Sequence, residues 1–223
     1  MRQCDATSRY RGDRVNRVNF FRGFFLVNVV LIGFSTSSFG TTDGRGDLLP
    51  LGSSAPNFSL PDVTTGRNVS LENFAGKKIL MVVFICRHCP YVQHVKGVLA
   101  QLGRDYKDKG VAIVAIASND ADAYAVDAPP SLAEMAKEEG FLFPFLYDES
   151  QAVAHAYTAV ATPDPFVFDQ NRKLVYRGQF DDTRPNGPPA TGKDIRAALD
   201  ALLRGQPVST NQKRSVGCSI KWK

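Results

Sequence analysis

The chain has 223 residues, 43% hydrophobic and 22% charged, enough for one domain with a full core plus a leader. That composition excludes long disorder, a collagen-like chain and a disulfide-dense miniprotein. The net charge of +5 sits at the N-terminus: residues 1–40 hold Arg2, Arg9, Arg11, Arg14, Arg17 and Arg22 against Asp5 and Asp13, which leaves +1 for the rest. The body has no basic stripe with interleaved aromatics, so nucleic acid is not an expected partner.

Residues 1–40 have the layout of a signal peptide or N-terminal membrane anchor. An arginine-bearing segment precedes the apolar run Gly23–Phe34, and Ser38 and Gly40 come after it as small residues before a cut. The run is short of the roughly 20 apolar residues that span a bilayer, so a membrane tether is the lesser alternative to cleavage. Export to the periplasm or the medium is the expectation, and Cys4 would leave with the leader. Residues 41–49, with Gly44 and Gly46, read as a linker into a domain over 50–223. The tripeptides Arg11-Gly12-Asp13 and Arg45-Gly46-Asp47 arise by chance and carry no adhesion function without structural context.

Phe58–Leu60 and Val69–Leu71 are short strands around a Thr64-Thr65-Gly66 turn. Ile79–Ile85 (ILMVVFI) is a continuous apolar run, the mark of a strand buried on both faces. Val92, Val95, Leu99, Leu102 and Tyr106 recur every three or four residues, as one face of a helix does. Val111–Ala117 (VAIVAIA) is a second buried strand, and strand, helix and strand in that order imply a parallel crossover. Ser131 and Glu134 form a capping box for a helix through Glu139 that Gly140 ends. Phe145–Tyr147 is a strand, and Ser150 caps a helix through Tyr157. Phe166–Phe168 and Lys173–Arg177 flank a hairpin turn. Thr191 and Asp194 open a last helix to about Leu203. The result is an α/β three-layer fold, with a central mixed β-sheet flanked by helices.

The chemistry concentrates in Cys86-Arg87-His88-Cys89-Pro90, at the junction of the Ile79–Ile85 strand and the next helix. A Cys-x-x-Cys pair in a first helical turn can bridge, and a helix N-terminus stabilises a thiolate. Arg87 and His88 add cationic character. Pro90 belongs in the first turn, where its missing N–H is no loss, which places Cys86 exposed at the helix start and Cys89 deeper. Cys86 as thiolate would attack a substrate disulfide and Cys89 would resolve the mixed disulfide, or the reverse course would oxidise a dithiol.

Such a pair is also half of a zinc site, but the remaining candidates, Cys218, His88, His94 and His155, form no second close pair. The βαβ context favours redox chemistry over zinc or an inert disulfide. No metal or other cofactor is expected. Partners would be protein or small-molecule disulfides and dithiols, together with a redox donor or acceptor that the sequence does not identify. His94 and His155 read as surface or packing residues. Thr191-Gly192-Lys193 lacks the glycine-rich segment of a phosphate loop.

Ala55-Pro56-Asn57-Phe58-Ser59-Leu60, Ser70-Leu71, Gly76-Lys77, Cys86–Tyr91, Phe143–Asp148, Thr162-Pro163, Tyr176-Arg177-Gly178 and the final Gly217–Lys223 resemble the redoxin branch of the thioredoxin superfamily. The resemblance covers residues 50–223. It implies a thioredoxin-like fold, a thiol–disulfide oxidoreductase working through Cys86 and Cys89, and a cis peptide between Thr162 and Pro163 packed against the active-site sulfurs. Thiol peroxidase is the alternative activity, but the Pro and Thr that peroxiredoxins carry ahead of their reactive cysteine are absent from Ile79–Ile85. The Trp and the buried acid of typical thioredoxins are also absent. A non-enzymatic binding module on the same fold is a third possibility. Cys218, in a Ser215–Lys223 tail ending in the sole Trp, is open to three roles: a third redox cysteine, a bland thiol, or a partner-linked disulfide.

Overall fold

The apolar run beginning at Ile79 forms the centre of a five-stranded sheet in the computed structural model, which describes residues 48–223. In chain order the elements are β1 (Ser59–Pro61), β2 (Asn68–Ser70), β3 (Ile79–Phe84), α1 (Pro90–Tyr106), β4 (Val111–Ala117), α2 (Pro129–Glu139), β5 (Phe145–Tyr147) and α3 (Ala152–Ala156). They continue with β6 (Ala161–Thr162), β7 (Asp164–Phe168), β8 (Leu174–Arg177), α4 (Lys193–Leu203) and β9 (Cys218–Ser219). The strand order is β5-β4-β3-β7-β8, with β3, β4 and β5 parallel and β7 and β8 antiparallel additions. The mixed sheet with flanking helices is thioredoxin-like, as the sequence led us to expect.

Every residue of β3 is buried because the strand is covered on both faces. Ile79, Met81 and Val83 enter one core with Val92, Val95, Leu99 and Leu102 of α1 and Ile195 and Leu199 of α4. Leu80, Val82 and Phe84 enter a second core with Phe58, Phe74, Tyr157, Phe166 and Phe168. Burial of each such side chain contributes about 1.5–3 kcal/mol, so this strand is a rigid base for the segment beyond Phe84. That segment carries the cysteine pair.

The helix starts differ from the sequence expectation by a few residues. Prolines open α1 and α2. Carboxylates outside the helix join at α3 and α4, and at α3 Ser150 Oγ still accepts the Ala152 N–H at 3.3 Å as expected. Helix α1 begins at Pro90 with Cys89 as its N-cap residue, so Cys86 lies in the preceding loop. Helix α2 begins at Pro129, after Ala128, and not at the Ser131/Glu134 box; Gly140 ends it in the left-handed conformation, as expected. Helix α3 spans only Ala152–Ala156, and the Asp148 carboxylate accepts the N–H groups of Val153 (3.4 Å) and Ala154 (2.9 Å). Helix α4 opens at Lys193, and the Asp181 carboxylate accepts the N–H of Thr191 at 2.7 Å and those of Gly192 and Lys193.

The leader expected over residues 1–40 and linker residues 41–47 lie outside the described residues. At the end of the linker, the Leu49 N–H donates to Thr158 Oγ1 at 2.7 Å, which fixes that point to the body. Among the described residues no helix is long and apolar enough to cross a membrane.

Candidate active site

The loop from Ile85 to Cys89 is held by a carboxylate that sequence reasoning did not single out. Asp127, in a 3-10 turn after β4, is fully buried, and its Oδ1 accepts the backbone N–H groups of Arg87 (2.7 Å) and His88 (3.2 Å). Its Oδ2 accepts His88 Nδ1–H at 2.5 Å and Asn119 Nδ2–H at 2.8 Å. The His88 ring also stacks on Tyr124, with centroids 5.0 Å apart. No sequence pattern marks Asp127, because the contact spans about forty residues and depends on where β4 ends.

Cys86 and Cys89 are both fully buried, which corrects the expected exposure of Cys86. Cys86 lies in the loop two residues beyond β3, and its Sγ lies 3.3 Å from Thr162 Oγ1. Cys89 Sγ lies 3.1 Å from the Thr162 carbonyl oxygen, and the Thr162–Pro163 peptide beside it is cis. Cys218, far from the pair in sequence and left open to a redox role, is brought to 2.9 Å from Cys89 Sγ. Strand β9 puts it there by pairing antiparallel with β6, Cys218 opposite Thr162.

The expected cationic surroundings are also corrected. The Arg87 guanidinium is spent on Glu134 (2.9 Å), Glu138 (3.1 Å) and the Ser131 carbonyl, all on α2, and His88 faces Asp127. The charge is therefore set by hydrogen bonds and the helix end. Cys86 donates to Cys89, and this bond together with burial raises the Cys86 thiol well above its usual range. The same bond lowers Cys89 to about 4 against the opposing effect of burial, helped by Cys218, Thr162 and the Val92 N–H. The Thr162 carbonyl, 3.1 Å from Cys89 Sγ, opposes that shift by favouring the protonated form. Burial and the neighbouring Cys89 raise Cys218 to about 11. Of the three sulfurs, Cys89 at the start of α1 is the one whose pKa is shifted downward.

Cys86, His88 and Asp127 bring potential ligand atoms within 4.8 Å of one another, the only such trio among the described residues. Their chemistry does not suit a cation. Four donors already fill the roughly four lone-pair sites of the Asp127 carboxylate. The three sulfurs form no such trio, so they make a chain with Cys89 in the middle and not a cage. His94 bonds Thr183 Oγ1 at 2.8 Å, and His155 stacks on Trp222 at 4.2 Å, so both are engaged elsewhere.

A mixed sheet of this order, carrying a vicinal cysteine pair at the end of its central strand beside a Thr-Pro loop, defines a thioredoxin-like protein. Within that class, the sequence model of the family described as Redoxin matches residues 50–199, and the chain belongs to that family. It is 53% identical to an uncharacterized conserved protein of Geobacillus kaustophilus whose crystal structure superposes with a TM-score of 0.77, over 79% of this chain and 94% of that one. A hypothetical protein of Sinorhizobium meliloti 1021 is 46% identical, with a TM-score of 0.77 over 79% and 97% of the two chains. Among curated proteins, the thiol-disulfide oxidoreductase ResA of Bacillus thuringiensis subsp. konkukian is 24% identical over 172 residues, 73% of this chain and 91% of the relative.

Proposed function

We propose that the protein is a thiol–disulfide oxidoreductase whose exchange passes through Cys86 and Cys89. The observation that carries this is the cysteine pair itself: Cys86, just past β3, and Cys89, the N-cap residue of α1, set their sulfurs against Thr162 at 3.3 and 3.1 Å. In the reductive direction the Cys89 thiolate attacks one sulfur of a substrate disulfide and the other sulfur leaves as a thiolate. Cys86 gives up its proton and attacks Cys89, the internal disulfide closes, and the substrate departs as a dithiol. The lowered Cys89 value favours Cys89 as the first attacker, a role that the sequence expectation gave to Cys86. Run backwards, the same steps oxidise a dithiol. Arg87, His88, Pro90, Thr162 and Pro163 position the two sulfurs.

Partners are protein or small-molecule disulfides and dithiols. The arginine-bearing leader with its apolar run supports action outside the cytosol, with a tether through the same segment as the lesser form of that proposal. The thiol-peroxidase alternative has less support, since Arg87 is engaged by Glu134 and Glu138 and the Pro/Thr pattern is missing.

Titration of the protein in glutathione buffers tests the proposal, with insulin reduction alongside. A two-electron couple is expected, near about −270 mV for a reductant or near about −120 mV for an oxidant, and Cys89→Ser is expected to abolish both couple and turnover. Full activity of Cys89→Ser, or no couple in the native chain, overturns it.

A further inference from the structure

The C-terminal tail is built into the site. Ser215 Oγ donates to the buried Asp164 carboxylate at 2.5 Å, and the Ile220 side chain is buried in the second core. The Lys221 N–H donates to Asn119 Oδ1 at 2.9 Å, which couples the tail to the residue that bonds Asp127. The Lys221 carbonyl accepts from the Asp120 N–H (2.9 Å) and Gln151 Nε2 (2.8 Å). Gly217 passes so close to β6 that an added Cβ would lie 2.1 Å from the Thr162 carbonyl oxygen. These contacts hold Cys218 Sγ at 2.9 Å from Cys89 Sγ. Cys218 is half-buried, while Cys86 and Cys89 have no solvent contact.

We propose that Cys218 is a third redox residue, which takes over the disulfide at Cys89 and presents it to substrate thiols at the surface. This rests on the exchange reading of the Cys86–Cys89 pair. In the oxidised protein Cys218 loses its proton to solvent and attacks Cys89 Sγ. The Cys89–Cys218 bond forms as the Cys86–Cys89 bond breaks, and Cys86 leaves as a thiolate and is protonated. No net oxidation occurs; the disulfide moves outward. A substrate thiolate then attacks Cys218 Sγ, and Cys89 leaves as the thiolate that α1 stabilises. A second substrate thiolate attacks the mixed disulfide and releases Cys218. The substrate ends as a disulfide and the protein as a dithiol, and the reverse sequence reduces a substrate disulfide. Without the relay, a substrate would have to displace the docked tail to reach Cys89.

Trypsin can read the pairing directly, because Arg87 separates the pair: Cys86, Cys89 and Cys218 fall in peptides Ile79–Arg87, His88–Lys96 and Ser215–Lys221. The reduced full chain is oxidised with one equivalent of diamide, quenched with N-ethylmaleimide in acid, digested and mapped. A Cys89–Cys218 linkage is expected beside Cys86–Cys89, and as the main product in Cys86→Ala. Cys218→Ala is expected to keep the Cys86–Cys89 couple in glutathione titration and to slow insulin reduction about tenfold or more, since a positioned thiol is lost. Absence of the Cys89–Cys218 peptide from both native chain and Cys86→Ala overturns the relay, and so does a Cys218→Ala rate within about twofold of native. The native mapping needs no variant, so a folding defect does not blunt it. Loss of the relay with the couple intact leaves the exchange function standing; absence of any couple in the native chain removes both.

Discussion

His88 Nδ1 and Asp127 Oδ2 meet at 2.5 Å, and the carboxylate that joins them is the same one that accepts the backbone N–H groups of Arg87 and His88. One buried side chain from the 3-10 turn beyond β4 therefore sets the shape of the loop between the two cysteines.

Asp127→Ala is expected to leave those backbone donors without a partner and to cost about 2 kcal/mol or more of stability. Asp127→Asn keeps an acceptor for Arg87 and His88 N–H and loses one facing His88, so a smaller loss of about 1 kcal/mol is expected. Urea unfolding measures both. Equal stability of Asp127→Ala and the native chain would contradict the role assigned to this carboxylate.

The lowered Cys89 value fixes a pH dependence. Because its folded pKa, about 4, lies below the ordinary 9.0, the thiolate contributes stability that is complete above 9.0 and is lost as pH falls through 4. The reduced native chain should therefore gain on Cys89→Ser in urea midpoint as pH rises across that window. Thiolate ultraviolet absorbance should titrate on the acid side of neutrality. Cys86, raised instead, adds nothing across this window and loses its advantage only above 9.0. A gap between native chain and Cys89→Ser that does not grow with pH would place the charge elsewhere.

Gly217→Ala tests how the tail is held. The added methyl has no room against the Thr162 carbonyl, so β9 must separate from β6 at a cost of about 1–3 kcal/mol. Faster amide hydrogen exchange at Cys218 and Ser219 is the expected signature. Unchanged protection there would mean that the backbone can absorb the methyl.

Asp181 is the cap of α4. Burial works against its charge, but hydrogen bonds from Thr183, Thr191 and Gly192 hold the carboxyl below the usual carboxylate range. Asp181→Ala should cost about 1–2 kcal/mol near neutrality, as loss of a helix cap does. The contribution is present above the unfolded value of 3.8 and fades as pH falls below it, so the two proteins should converge in acid. A pH-independent difference in melting temperature would count against this assignment.

The buried strands were legible in the chain itself. A run such as ILMVVFI has no polar residue to turn outward, so it can only be central, and VAIVAIA gave β4 to the residue. The α1 face of Val92, Val95, Leu99, Leu102 and Tyr106 is buried as its spacing requires. Helix starts were less legible: Ser150 does accept the first N–H of α3, but Asp148 takes the next two and Asp181, twelve residues before Lys193, takes the first of α4.

The sequence by itself determined the α/β layering and the cysteine pair at a strand end, since periodicity and a Cys-x-x-Cys before proline are local properties of the chain. Only the tertiary structure decided how the three sulfurs are arranged, what each one bonds and which one meets solvent. Those depend on contacts across long separations: Asp127 on the loop, Thr162 on both sulfurs, and β9 returning more than a hundred residues later to set Cys218 against Cys89. Charge on a thiol is governed by its hydrogen bonds and burial, and both are made only when the chain has folded.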